Sequence, residues 1–75
     1  MNTYILPNSN NKARVIQTKE GEYLVSYDTT VLFTSKNTGK RYRTWTGWSQ
    51  TTGRHIKEYC DLTKAEYQVL PYKEV

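Results

Sequence analysis

Hydrophobic and polar residues alternate across residues 13–46 in short runs that turn residues interrupt. The runs are rich in β-branched and aromatic side chains, which suit the pleated surface of a sheet. Residues 20–21, 28–29 and 36–39 separate the runs, and connections this short join antiparallel neighbours. The pattern therefore predicts a four-stranded antiparallel β-meander, with strands at residues 13–19, 22–27, 30–35 and 40–46.

The same alternation assigns the side chains of these strands to two faces, because successive residues of a strand point to opposite sides. The predicted core face carries Val15, Tyr23, Val25, Phe33 and Tyr42. The predicted outer face carries Arg41, Arg43 and Trp45 side by side.

After Trp48 the apolar spacing changes from two residues to three and four, which is typical of a helix. The stripe that this spacing predicts contains Thr52, Ile56, Tyr59 and Cys60. Ser49 or Thr51 is a suitable helix cap, since a hydroxyl can accept a bond from an unpaired backbone amide.

A second, shorter helix is predicted to follow. The sequence Thr-Lys-Ala-Glu at residues 63–66 is a capping box, and Tyr67 and Leu70 would then face the core. Strands followed by helices predict an α+β domain over residues 13–75, with both helices packed on one sheet face. Residues 1–12 form an N-terminal arm, for which a flexible segment and an edge strand both remain open.

The 75 residues are enough for one small domain with a thin core, which homodimerisation would help to stabilise. The net charge is +4, and its distribution is uneven. Between residues 36 and 57 every charged side chain is a cation, namely Lys36, Lys40, Arg41, Arg43, Arg54 and Lys57. This distribution suits an anionic partner.

Composition also indicates the compartment. A single cysteine, Cys60, cannot form an internal disulfide, and no apolar run approaches the roughly 20 residues of a membrane span. The N-terminal residues lack the basic and apolar regions of a secretory signal. We therefore expect a cytosolic protein with no membrane partner.

Catalytic and metal chemistry are both disfavoured by the residues present. One histidine and one cysteine are too few for a metal site, which needs three or four ligands. His55 and Cys60 lie five residues apart on the predicted helix, so they point in different directions and make a poor nucleophile–base pair. We expect no enzyme activity, no metal and no cofactor.

The segment from Ser49 to Tyr59 fits the pattern S-x-T-T-x-(R/K)-H-(I/V)-x-(E/Q)-(F/Y). With the Leu-Thr-Lys-Ala-Glu-Tyr segment at residues 62–67, it resembles a family of small uncharacterised proteins of bacteriophages, prophages and other mobile elements. The resemblance covers residues 22–72. It implies a phage origin and action in the host cytoplasm, and small phage proteins are often inhibitors of host defences.

Two candidate sites follow from these patterns. The first is a partner-binding surface made of cations and indoles: Arg41, Arg43, Trp45, Trp48, Arg54 and Lys57. The second is an anion-binding helix N-terminus made of Ser49, Thr51, Thr52 and His55. For the second site, plain helix capping explains the same residues and remains an open alternative.

We therefore hypothesise a phage protein that acts by binding. The first hypothesis is an inhibitor of a host defence system, anti-CRISPR-like or other, that blocks a host protein or nucleoprotein complex. An alternative is an accessory protein that binds nucleic acid through the basic and aromatic face. A further alternative is a sponge that sequesters a nucleotide signal.

Overall fold

The computed structural model describes residues 1–75 as one antiparallel sheet followed by two helices. The elements are β1 (Asn2–Ile5), β2 (Ala13–Gln17), β3 (Gly21–Ser26), β4 (Thr29–Ser35), β5 (Arg41–Arg43), α1 (Gln50–Cys60) and α2 (Lys64–Gln68). The strands lie side by side in chain order, as a meander requires. The predicted α+β class is confirmed, whereas the strand number is five and not four.

The additional strand comes from the N-terminal arm. Residues 2–5 pair with β2 as an edge strand, which was one of the two alternatives that the sequence left open. The loop that follows is held by Ser9, whose buried hydroxyl donates to the Leu6 carbonyl (2.8 Å) and accepts from the Ala13 amide (3.2 Å). Asn10 and Asn11 turn the chain at positive φ, which asparagine tolerates better than most residues.

Both helices pack on the sheet face opposite to the one predicted. The core on this helix-bearing face contains Leu6, Ala13, Val15, Leu24, Val31, Leu32, Ile56 and Tyr67. Four residues of the predicted core face lie on the other side of the sheet: Tyr23, Val25, Phe33 and Tyr42. A β-bulge contributes to this core, because the register shift at residues 24–25 leaves Val31 without a pairing partner.

The helix boundaries follow from capping residues. Ser49 caps α1, and Asp61 ends it in the left-handed conformation with its amide donating to the Lys57 carbonyl at 2.9 Å. The predicted capping box of α2 is confirmed, since Thr63 and Glu66 each accept a bond from the other's backbone amide. Tyr67 on α2 is fully buried.

The C-terminal residues cover one edge of the sheet. Tyr72 pairs with Arg43 in a parallel bridge, and the Lys73 amide donates to the Arg43 carbonyl at 2.9 Å. The opposite edge, β1, is exposed at all four residues and is therefore open for pairing. None of the helices combines the length and apolar character needed to cross a membrane.

Candidate binding sites

The predicted face of Arg41, Arg43 and Trp45 does not form as one outer surface. Arg41 pairs with Thr34 and Arg43 with Leu32, so both arginines lie on the helix-bearing side of the sheet. The Arg43 side chain also donates to the Leu70 carbonyl at 3.3 Å, which ties it to the C-terminal segment. The predicted outer-face placement of the two arginines was wrong, because it depended on the inverted assignment of the faces, while their role in binding a partner stays a prediction.

Arg54 and Lys57 belong to a different surface. Arg54 is an exposed residue of α1, and Lys57 forms an exposed ion pair with Asp61 at 3.5 Å. The cations that are neighbours in sequence are therefore divided between β5 and the outer side of α1.

The two tryptophans close the fold between β5 and α1. Trp45 and Trp48 are half-buried and pack against the core. A Cβ at Gly47 would lie 2.6 Å from the Trp45 ring, and a Cβ at Gly53 would lie 2.4 Å from the Trp48 ring. Both indoles thus rest on glycine backbone and serve mainly to cover the core.

The helix N-terminus is bonded into the sheet by a buried polar network. Ser49 Oγ accepts from the Thr52 amide at 3.1 Å, which is the expected cap. Ser26 Oγ, on β3, shares a hydrogen bond of 2.9 Å with Thr52 Oγ1 and one of 2.8 Å with His55 Nδ1. Ser49 and Thr52 are thereby occupied by structural contacts, while Thr51 is exposed.

The Ser26–His55 contact has the composition of a nucleophile–base pair but not its geometry. Ser26 lies beneath the imidazole and is buried, so a substrate cannot reach its hydroxyl. No group of three or more metal-ligating side chains occurs in the chain. Burial raises the pKa of the half-buried Cys60 thiol, whose Sγ donates to the Ile56 carbonyl at 3.4 Å, and a protonated thiol is a weak nucleophile.

The same network opens on one side into a groove of about 680 Å³. The β1–β2 loop, the β3–β4 turn and α1 form its walls. The residues that line it include Lys12, Tyr27, Thr51, Arg54, His55 and Glu58. His55 is only 4% exposed and has no hydrogen bond at Nε2. Since no fully buried side-chain nitrogen or oxygen lacks a partner, Nε2 keeps some contact with solvent, and His55 lines the groove.

Tyr27 forms one wall of the groove in a strained conformation. It adopts a φ of 55°, a region that costs a bulky residue about 1–3 kcal/mol. Its amide donates to the Lys12 carbonyl at 2.6 Å, which fixes the turn. Tyr27 is 47% exposed, and its ring centroid lies 5.8 Å from that of His55. Sequence analysis did not predict the positive φ of Tyr27. The signal for it was a hairpin turn of two residues that contains no glycine.

We expect stability to fall as the pH decreases below 6.5, the ordinary pKa of histidine. Burial lowers the pKa of His55, although Glu58 opposes the shift, so the unfolded chain binds a proton more readily than the folded chain. The contribution is complete above pH 6.5 and is lost as the pH falls toward the lowered pKa.

Thermal unfolding between pH 5 and 8, followed by circular dichroism, checks this expectation. His55 is the only histidine, and His55→Asn keeps a polar atom near Ser26 while removing the titration. The melting temperature of the variant should depend less on pH in this range. An equally steep dependence in both proteins would show that another group is responsible.

The helix-free face of the sheet carries an aromatic row. Tyr23 and Phe33 have ring centroids 4.8 Å apart, and Phe33 and Tyr42 have theirs 6.2 Å apart. The Lys73 ammonium lies 5.5 Å from the Phe33 ring centre. Pairing register places Ile5 and Arg14 on the same face, and no acidic residue of the strands shares it.

A family model described as a family of unknown function (DUF8033) matches residues 5–74 of the chain. The match covers every helix and most of the sheet. No curated protein and no solved structure matches the chain significantly.

Proposed function

The chain belongs to this family of unknown function, and we propose that it acts by binding a partner protein through the helix-free sheet face. The observation that carries the proposal is the chemistry of that face: aromatic and aliphatic side chains together with Arg14 and Lys73, and no strand acid. The complementary partner is a protein surface with apolar residues and carboxylates.

Contact areas rich in tyrosine and arginine are typical of protein hot spots, since a large ring adds area at low entropy cost. Tyr23 and Tyr42 are half-buried, so each keeps part of its ring accessible. The exposed side chain of Ile5 extends the face to the open edge of the sheet. A partner strand could add to β1 there while its side chains contact the aromatic row.

Nucleic acid is the less suitable partner for this face. Single strands are held by bases that stack on exposed ring faces. Phe33, the central ring, is only 5% exposed, and the Lys73 ammonium lies over it. The ring at the centre of the row is therefore occupied by the chain's own side chains.

The phage resemblance of the Ser49–Tyr59 motif supports a more specific form of the proposal. In a phage protein, the partner would be a host protein or nucleoprotein complex in the host cytoplasm, and binding would block it. Inhibition of a defence system is the corresponding biological role. Binding alone is sufficient for this role, so it requires no catalytic group.

The proposal is tested by capture of host proteins on the immobilised chain after nuclease treatment. The double variant Ile5→Glu/Lys73→Glu should reduce capture at least tenfold, because hot-spot changes cost about 2 kcal/mol or more. Both side chains are exposed, so the fold should tolerate the changes.

The matched control is Lys64→Glu/Val69→Glu, which makes the same change of charge at the first residue of α2 and at its C-cap, away from the face. It should capture the partner as the parent does. Loss of the captured protein on nuclease treatment would refute a protein partner and favour the nucleic-acid alternative. Equal capture by the two double variants would refute the assignment of the face.

A further inference from the structure

We propose that the groove beside α1 binds a purine nucleoside monophosphate, with the phosphate near His55 and Arg54 and the base against Tyr27. The site lies at the end of the sheet formed by the β1–β2 and β3–β4 connections. It is separate from the partner-binding face, so the two proposals can fail independently.

His55 provides the fixed polar atom of the site. The residue is almost completely buried and held by Ser26 through Nδ1, while Nε2 has no partner in the chain and is not fully buried. If Ser26 donates to Nδ1, then Nε2 carries the proton and is a donor to a phosphate oxygen. Thr52 can in turn donate to Ser26, which completes the network for this tautomer.

Three cations and two carboxylates line the groove, and two of the cations are free to meet an anion. Arg54 and Lys12 take part in no ion pair, whereas Lys57 is paired with Asp61. Glu58 accepts from the backbone amide of Asn8 at 3.0 Å, which ties this carboxylate to the β1–β2 loop.

The first turn of α1 adds to this attraction. Thr51 lines the groove at the second position of the helix, where backbone amides and the helix dipole attract negative charge. Arg54, Lys12 and His55 thus line the same groove as the first turn of α1. Together they suit a phosphate dianion.

Tyr27 supplies the second part of the recognition. Tyr27 is about half exposed at the rim of the groove, and its ring is paired with the His55 ring. A heterocyclic base can stack on this ring while its phosphate reaches the cations on α1. The backbone bond from Tyr27 to Lys12 fixes the strained turn, so the position from which the ring extends is set before a ligand arrives.

Titration calorimetry of the full chain with AMP, GMP, adenosine and inorganic phosphate tests the site. We expect AMP or GMP to bind with a Kd below about 1 mM, and adenosine and phosphate to bind at least about tenfold more weakly. Absence of heat with both nucleotides at about 10 mM would overturn the proposal, because even a weak site would then be filled.

Two variants localise the binding. Tyr27→Gly removes the ring and relieves the positive φ, so it should weaken AMP binding about tenfold while the melting temperature stays the same or rises. Arg54→Glu should weaken it at least about tenfold. Lys36→Glu, the same charge change in the β4–β5 turn, should leave the affinity unchanged. Unchanged affinity in the Tyr27 and Arg54 variants, or phosphate binding as tight as AMP binding, would overturn the assignment.

Discussion

Replacing Ser26 by alanine is expected to lower the free energy of unfolding by about 2–4 kcal/mol, because two buried partners lose their hydrogen bond at once. Ser26 Oγ lies 2.9 Å from Thr52 Oγ1 and 2.8 Å from His55 Nδ1, and all three residues are buried. The loss would be a large part of the total stability, about 4–11 kcal/mol for a domain of this length.

Urea unfolding followed by tryptophan fluorescence measures this loss. Ser35→Ala is the matched control, since Ser35 lies on β4 and its hydroxyl makes no hydrogen bond, and it should cost no more than about 0.5 kcal/mol. Thr52→Val in the Ser26→Ala background should cost less than it does in the parent, because the shared bond is already absent. Equal costs for the two serine variants would show that the network contributes little.

The fold class could be predicted from the sequence, but the orientation of the sheet could not. Alternation separates Tyr23 and Phe33 from Leu24 and Leu32 correctly, since these pairs lie on opposite faces. Both pairs are apolar, however, so hydrophobicity does not indicate which face the helices cover. The contacts that hold α1 on its face include polar ones between residues distant in sequence, namely those of Ser26 with Thr52 and His55.

The strand at Asn2–Ile5 was difficult to predict for a related reason. It is short and exposed, and an asparagine-rich loop follows it. Its pairing with β2 depends on a loop whose buried serine, Ser9, substitutes for backbone partners. A polar residue with such a role looks the same in sequence as a residue of a flexible linker.

The residues from Ser49 to Tyr59 form the cap and most of α1, and they serve two purposes. Ser49 caps the helix, His55 bonds to the sheet, and Ile56 enters the core. Tyr59 donates to Glu22 Oε1 at 2.6 Å, a bond that lowers the pKa of Glu22 and links α1 to β3. Arg54 has no such contact, which is why the groove proposal depends on it.

The groove itself could not be found by scanning for motifs. Its walls come from three separate segments, represented by Lys12, Tyr27 and Arg54. The window of cations between residues 36 and 57 pointed instead to one continuous basic face. Folding divides that window, because the chain turns between Trp45 and Trp48 and places β5 and α1 in different layers.

Replacing Tyr67 by alanine is expected to have the largest effect, a loss of about 3–5 kcal/mol, because a fully buried aromatic ring leaves a cavity. The ring centroids of Tyr67 and Trp48 lie 5.6 Å apart. The Tyr67 hydroxyl donates to the Val31 carbonyl (2.6 Å), and the Trp45 carbonyl lies 3.1 Å from it. Burial raises the pKa of Tyr67 to about 12, so this donor keeps its proton at neutral pH.

Comparing three variants by urea unfolding separates the parts of this contribution. Tyr67→Phe keeps the ring but leaves the Val31 carbonyl without this donor, so it should cost about 1–3 kcal/mol. Tyr72→Ala removes a half-exposed ring and should cost less than about 1 kcal/mol. If the phenylalanine variant were as unstable as the alanine variant, the hydroxyl rather than the packed ring would hold α2 on the sheet. If Tyr72→Ala cost as much as Tyr67→Ala, closure of the β5 edge by the C-terminal segment would matter more than the core under α2.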